Sequence, residues 1–191
     1  VWVRRAMWRR GVGANWIERG GVFDAILEPG EFAAAADEGL TVADRGSAHT
    51  VAPITFLDGA VLLDAAIARR ALGIADGPAV LLQLGAGNIN DISSPVARMA
   101  RCLVDHGFQL VLCESSIATA PLPRIPDAHV VKVYPVSRYL RAFDLVVSAS
   151  GYNSFHELIG FGVPSVLVPN TRTGLDDQAA RILARPETAL P

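Results

Sequence analysis

Residues 145–178 read LVVSASGYNSFHELIGFGVPSVLVPNTRTGLDDQ, and this stretch decides the fold. Residues 145–148 form a short apolar run bounded by small residues, the pattern of a buried strand. Ser150 and Gly151 break it, and a helix is expected from about Asn153 to Gly160. Residues 165–168, held between Pro164 and Pro169, read as a second strand. Residues 176–184 read as a helix. Apolar strands alternating with helices belong to a parallel sheet covered on both faces.

The alternation continues upstream. Pro78 precedes a continuous apolar run at 79–84, short enough for a buried strand. Ser94-Pro95 supplies an N-cap and a first-turn proline for a helix that runs to about His106 and stops at Gly107. Residues 108–113 are the next strand. Residues 114–127 carry Pro121, Pro123 and Pro126 and read as loop. A strand at 129–133 and a short helix at 136–143 follow. The fold expected is therefore α/β, a Rossmann-like parallel sheet with helices on both faces and five strands after residue 78. Ahead of it, 59–72 has the apolar spacing of a helix stopped by Gly73.

The first 50 residues read as irregular. Trp2, Trp8 and Trp16 are interleaved with Arg4, Arg5, Arg9 and Arg10. Residues 23–27 are strand-like, 32–36 suggest one or two helical turns, and 44–48 read as a turn or linker. Residues 50–56 read as a strand interrupted by Pro53.

Composition narrows the function classes. The chain has 191 residues, 51% hydrophobic and 19% charged, which excludes a disordered polymer. Seventeen basic and nineteen acidic side chains leave a net charge of −2, so no strong field for nucleic acid is expected. Cys102 and Cys113 are too few for a disulfide framework or a zinc site. Both sit in apolar runs, read as buried reduced thiols, and fit a cytoplasmic compartment. His49, His106 and His129 lack metal-ligand spacing, and no metal is expected. No apolar stretch reaches the roughly 18 residues of a membrane span. The chain begins at Val1 and stops just after its last helix, so a piece of a longer protein is expected.

In a parallel sheet, ligands bind at the carboxyl ends of the strands. Three loops there are unusual. Gly85-Ala86-Gly87-Asn88 follows the strand at 79–84. It is either a tight turn or a cradle of amides for a phosphate. Ser150-Gly151-Tyr152-Asn153-Ser154 opens a helix, whose free amides and positive dipole end suit a diphosphate. Glu157 lies one turn beyond Ser154 on the same face, placed to accept ribose hydroxyls. The alternative is an ordinary cap followed by a dipole-complementing acid. Asp176-Asp177-Gln178 either binds sugar hydroxyls or caps the last helix.

Ser148, Gly151, Ser154, Glu157, Gly162, Pro164, Pro169, Asp177 and Gln178 together carry a family resemblance. The stretch resembles the C-terminal, donor-binding domain of GT-B glycosyltransferases of the MurG-like, family 28 type. The resemblance covers about residues 50–185, and its specific part is 148–178. It departs from the family at Ala86-Gly87-Asn88, where a serine-containing version is usual.

The resemblance implies a UDP-sugar as donor substrate, no cofactor, and inverting, metal-independent transfer to a hydroxyl acceptor. It implies that Gly85 to Asn88 and Ser150 to Ser154 meet the diphosphate, Glu157 the ribose, and Asp176, Asp177 and Gln178 the sugar. Tyr134 would lie by the base. Residues 1–49 would be the tail end of an N-terminal acceptor domain plus linker, and 50–191 the donor domain, incomplete at its C-terminus. The acceptor and the catalytic base would belong to the absent domain, so no catalytic residue is named and this chain alone is expected to be inactive. Neither Asp91 nor His156 is singled out as a base. The full-length enzyme leaves room for peripheral membrane association. A sugar-nucleotide epimerase of the same fold and a non-catalytic nucleotide-sugar module are the competing readings.

Overall fold

The computed structural model describes residues 1–85, 93–114, 122 and 124–184. The chain divides into two compact units. Val1–Thr55, Ser150–His156 and Pro169–Pro191 form the first; Phe56–Ala149 and Glu157–Val168 form the second.

The first unit contains β1 (Trp2–Val3), α1 (Ala14–Arg19), β2 (Ile26–Pro29), α2 (Leu40–Ala43) and β3 (Ala48–Val51). The strands pair in parallel in the order β1-β2-β3, with Trp2 opposite Ile26 and Ile26 opposite Ala48. This corrects the expectation of an irregular N-terminal stretch. Strands of two to four residues are too short to show a hydrophobic period, so pairing across the sheet decides them. The strand expected over 23–27 lies at Ile26–Pro29, and the one expected over 50–56 ends at Val51, ahead of Pro53.

A buried ionic cluster ties these segments together. The Arg4 side chain is fully buried and donates to Glu28 (3.1 Å) and to Asp44. Arg45 donates to Glu28 (2.9 Å) and to Asp37 (3.1 Å). Asp37 also accepts the N–H groups of Met7 (3.1 Å) and Gly39 (2.9 Å). Removing one partner of such a cluster leaves an uncompensated charge, at a cost of about 3–5 kcal/mol. Beside it, Trp2, Trp8 and Trp16 wall a cavity of about 250 Å³ together with Arg4, Arg5 and Asp176.

The second unit contains α3 (Ala65–Leu72), β4 (Ala79–Gln83), α4 (Ser93–Asp105), β5 (Gln109–Cys113), β6 (His129–Val131), β7 (Leu145–Ala149) and β8 (Ser165–Val168). These five strands form one parallel sheet in the order β6-β5-β4-β7-β8, the number and direction expected. Alternate residues feed two cores. Leu81, Val111, Cys113 and Val146 pack with Ala68, Leu72 and Leu158 on one face. Val80, Leu82, Leu110, Leu112 and Val147 pack with Val96 and Ala100 of α4 on the other. The period of two is the geometry of a strand covered on both sides.

The chain runs outward from β4 through β5 to β6, then returns to β7 on the other flank of β4. The order therefore reverses between β4 and β7, whose ends meet at Gln83 and Ser148. Ligands of open α/β sheets bind outside such a reversal.

Helix α5 (Tyr152–Gly160) follows β7 directly, and α6 (Gln178–Leu183) is the last helix. Several elements differ from expectation. The helix expected over 59–72 is a 3₁₀ turn at Gly59–Val61 and then α3, because Asp58 and Asp64 each cap a separate start. Their carboxylates accept the N–H groups of Ala60 and Ala66, both at 3.0 Å. Residues 32–36 hold only a 3₁₀ turn, Ala34–Ala36, and Val136–Ala142 is 3₁₀ rather than α. Cys113 is buried as expected, but Cys102 is exposed. On α4, Val96 and Ala100 face the core and Met99 and Leu103 pack against it, which turns Cys102 outward.

Candidate functional site

The turn after β7 is built from small residues. The first bond of α5 runs from the Phe155 N–H to the Gly151 carbonyl at 2.9 Å. The N–H groups of Tyr152, Asn153 and Ser154 therefore precede the intrahelical ladder. Asn153 is exposed and Ser154 half-buried. The Tyr152 side chain is buried instead, with its hydroxyl donating to the Gly30 carbonyl (2.8 Å) and accepting the Ile54 N–H (3.1 Å). Only its backbone belongs to the turn.

Ser150 turns inward. Its hydroxyl is fully buried and donates to the Gln178 carbonyl at 3.1 Å. The Gln178 side-chain oxygen accepts the Asn170 N–H at 2.9 Å, and its amide nitrogen lies 3.7 Å from where a Cβ on Gly151 would sit. Two loops distant in sequence, at 150–151 and 170–178, are thus brought together within the first unit. Asp177 caps α6, its carboxylate accepting the Ala180 N–H at 3.0 Å. Asp176 receives the Arg181 guanidinium at 2.7 Å.

Arg181 and its partner Glu31 carry no signal of their pairing in the sequence. Its side chain is fully buried and meets Glu31 at 3.1 Å through Nε. His156, whose position reads equally as facing the site or lying on the helix surface, is fully buried beside the same carboxylate at 3.2 Å. Its Nδ1 donates to the Tyr152 carbonyl (2.7 Å), since a carbonyl only accepts, and its Nε2 faces the Phe32 N–H at 3.1 Å. Burial pushes the Glu31 carboxyl up, but the adjacent His156 and the Arg181 charge outweigh it, leaving the group below its ordinary value. The one signal available was spacing: Gln178 and Arg181 are three residues apart on α6, and both are buried.

In the second unit, Glu157 is 9% exposed. Its carboxylate accepts the Phe56 N–H at 3.2 Å, together with the Ser137 hydroxyl and the Leu57 N–H. Burial raises this carboxyl above its ordinary value, and the three donors oppose that without cancelling it. Tyr134 is 71% exposed and packs edge-on against Phe56, with ring centroids 5.3 Å apart. Gly85 has φ of +96°, a conformation that favours glycine, and among the described residues no atom lies within 4 Å of where a Cβ would sit. Ala86, Gly87, Asn88 and Asp91 lie outside the described residues. Among the described residues, no group of three or more His, Cys, Asp or Glu could hold a metal ion, and no helix is long and apolar enough to cross a membrane.

Residues 106–185 match the family model of the glycosyltransferase family 28 C-terminal domain. Over 109 residues, 52% of this chain, the sequence is 31% identical to the UDP-N-acetylglucosamine--N-acetylmuramyl-(pentapeptide) pyrophosphoryl-undecaprenol N-acetylglucosamine transferase of Bacillus licheniformis. The match covers 30% of that relative's length. Among solved structures, MurG of Acinetobacter baumannii aligns over 88% of this chain and 58% of its own, at 18% identity and a TM-score of 0.49. The glycosyltransferase SnogD of Streptomyces nogalater aligns over 87% and 44%, at 21% identity and a TM-score of 0.48. The matched stretch, 106–185, contains β5 to β8, α5 and α6, and is similar to the glycosyltransferase family 28 C-terminal domain.

Proposed function

We propose that this chain is the donor-binding part of a glycosyltransferase and that its ligand is a nucleoside diphosphate sugar, with uridine as the base. One observation carries the reading. The turn Ser150-Gly151 opens α5 at the carboxyl end of β7, where the strand order reverses, and it lies inside the family 28 match. The name of the Bacillus licheniformis relative specifies UDP-N-acetylglucosamine as donor.

In this reading the amides of Tyr152, Asn153 and Ser154 and the Ser154 hydroxyl meet the diphosphate. Gly151 lets its oxygens approach the backbone, and the Gly85 to Asn88 loop adds a second contact. Glu157 accepts the ribose hydroxyls, and Tyr134 lies by the base. The Gln178 amide, with Asp176 and Asp177, addresses the sugar. Ser150 contributes by holding Gln178 rather than by touching ligand.

The reaction proposed is displacement at the anomeric carbon by an acceptor hydroxyl, with inversion. The bond from that carbon to the diphosphate oxygen breaks as the bond to the acceptor oxygen forms. Charge grows on the departing diphosphate, and preorganised amides at the start of α5 stabilise it without a metal or cofactor. The acceptor, and the base that takes its proton, belong to a further domain of the whole enzyme. A cytoplasmic site of action, with peripheral membrane association of that enzyme, is part of the same proposal.

Saturation-transfer NMR of the 191-residue chain with UDP-N-acetylglucosamine, UDP-glucose and dTDP-glucose tests the reading. Binding of a uridine diphosphate sugar without transfer is expected. Failure of all three donors to bind would overturn it, and sugar transfer by this chain alone would overturn the assignment of the base elsewhere.

A further inference from the structure

We infer that Arg181 is a positioning residue, which locks the turn before α5 to the loop before α6 so that the two proposed donor contacts are held in one geometry. The inference rests on the donor-site reading for its ligand, but its structural content stands on the contacts themselves.

The guanidinium is fully buried and reaches three segments of the first unit. Nη1 donates to the Ser150 carbonyl at 2.8 Å, immediately ahead of Gly151. Nη2 donates to Asp176 Oδ1 at 2.7 Å, and Nε to Glu31 Oε2 at 3.1 Å. A guanidinium is a rigid planar fork, so partners on its different nitrogens are fixed relative to one another in distance and angle. A lysine ammonium carries the same charge on one rotating point and cannot impose that plane.

Glu31 is itself fixed. Its Oε1 faces His156 Nε2 at 3.2 Å and accepts the Ala33 N–H at 3.2 Å. The Ser150 hydroxyl reaches the Gln178 carbonyl and the Gln178 side-chain oxygen reaches the Asn170 N–H, so neighbouring bonds run between the same two loops. Buried ion clusters contribute little net stability compared with apolar packing, so stability alone is a weak reason for this one. Holding Ser150 and Asp176 to one cation is a stronger reason. It prepays the ordering of both loops before a ligand arrives.

Arg181→Lys is the test, with Arg181→Met combined with Glu31→Leu as a second variant that removes the buried charges together. Amide hydrogen exchange is followed residue by residue in the free 191-residue chain, alongside binding of UDP-N-acetylglucosamine and of uridine. In both variants exchange should quicken at 151–154 and 173–177 and stay unchanged in β4 and β5. The Kd for the nucleotide sugar should rise about 10- to 100-fold while uridine binding is unmoved. Unchanged exchange in those loops overturns the inference, as does an increase spread evenly over the chain, which marks a merely structural role. Equal weakening for uridine and the nucleotide sugar also overturns it. If the parent chain binds no nucleotide sugar, the donor reading fails, and the exchange pattern alone decides whether Arg181 locks the loops.

Discussion

Replacing Glu157 by alanine separates two consequences of one carboxylate. In the free chain the group accepts from the Phe56 N–H, the Ser137 hydroxyl and the Leu57 N–H. Deletion leaves these donors unpaired at a site only 9% exposed, where water substitutes poorly. Each orphaned donor costs about 1–3 kcal/mol. Against this, burial raises the Glu157 carboxyl, so its charge is itself held at a cost that deletion relieves. The balance is a loss of roughly 1–3 kcal/mol, readable as a shift in urea midpoint at constant slope. Glutamine is a poorer choice, since its NH₂ would face donors. For the ligand, ribose hydroxyls donating to a carboxylate should contribute about 1.5–3 kcal/mol, or roughly 10- to 150-fold in Kd. Calorimetry with UDP and 2′-deoxy-UDP on the parent and on Glu157→Ala closes a cycle. The parent should prefer UDP, and the variant should bind both with the same weakened affinity. A variant that keeps the preference, or a parent that shows none, refutes the ribose assignment whatever happens to stability.

Three further outcomes follow from particular contacts. Leu81 is fully buried in the central strand, so Leu81→Ala should destabilise the chain by about 2–5 kcal/mol in urea unfolding followed by circular dichroism. Glu31 and Glu157 predict opposite slopes of stability with pH. The lowered Glu31 contributes stability that is present above its ordinary value of 4.5 and lost as pH falls below it. The raised Glu157 contributes stability that is present below 4.5 and lost as pH rises through its shifted value. Melting temperatures across acid pH should therefore pass through a maximum, and Glu157→Ala should flatten the upper side alone. Ellman's reagent should titrate one thiol quickly, at exposed Cys102, and the buried Cys113, whose thiol burial pushes up, only after denaturation. Equal rates for both would contradict the outward turn of α4.

The second unit was largely legible because its strands carry their own signal. Ala79–Gln83, Gln109–Cys113 and Leu145–Ala149 are apolar throughout, as strands covered on both faces must be. The start of α5 was legible too, since Ser150-Gly151 after an apolar run marks a strand-to-helix turn. Less legible were the elements decided at long range. Trp2–Val3 is a strand only because Ile26–Leu27 lies beside it. Arg181 looks like the polar face of a helix until Glu31, 150 positions away, enters the same space. For the same reason Ser150 read as a ligand donor, whereas its hydroxyl is turned toward Gln178. Residue type and spacing identify the loops that meet; they do not reveal which polar atoms those loops spend on one another.

The three tryptophans that wall one cavity are also all the tryptophans of the chain. Excitation of indole at its red edge thus illuminates the first unit and leaves the five-stranded unit optically silent. The molecule carries a built-in reporter for half of itself. A fluorescence melt set beside a circular dichroism melt reads out, with no label added, whether the two units lose their structure as one cooperative body or in succession.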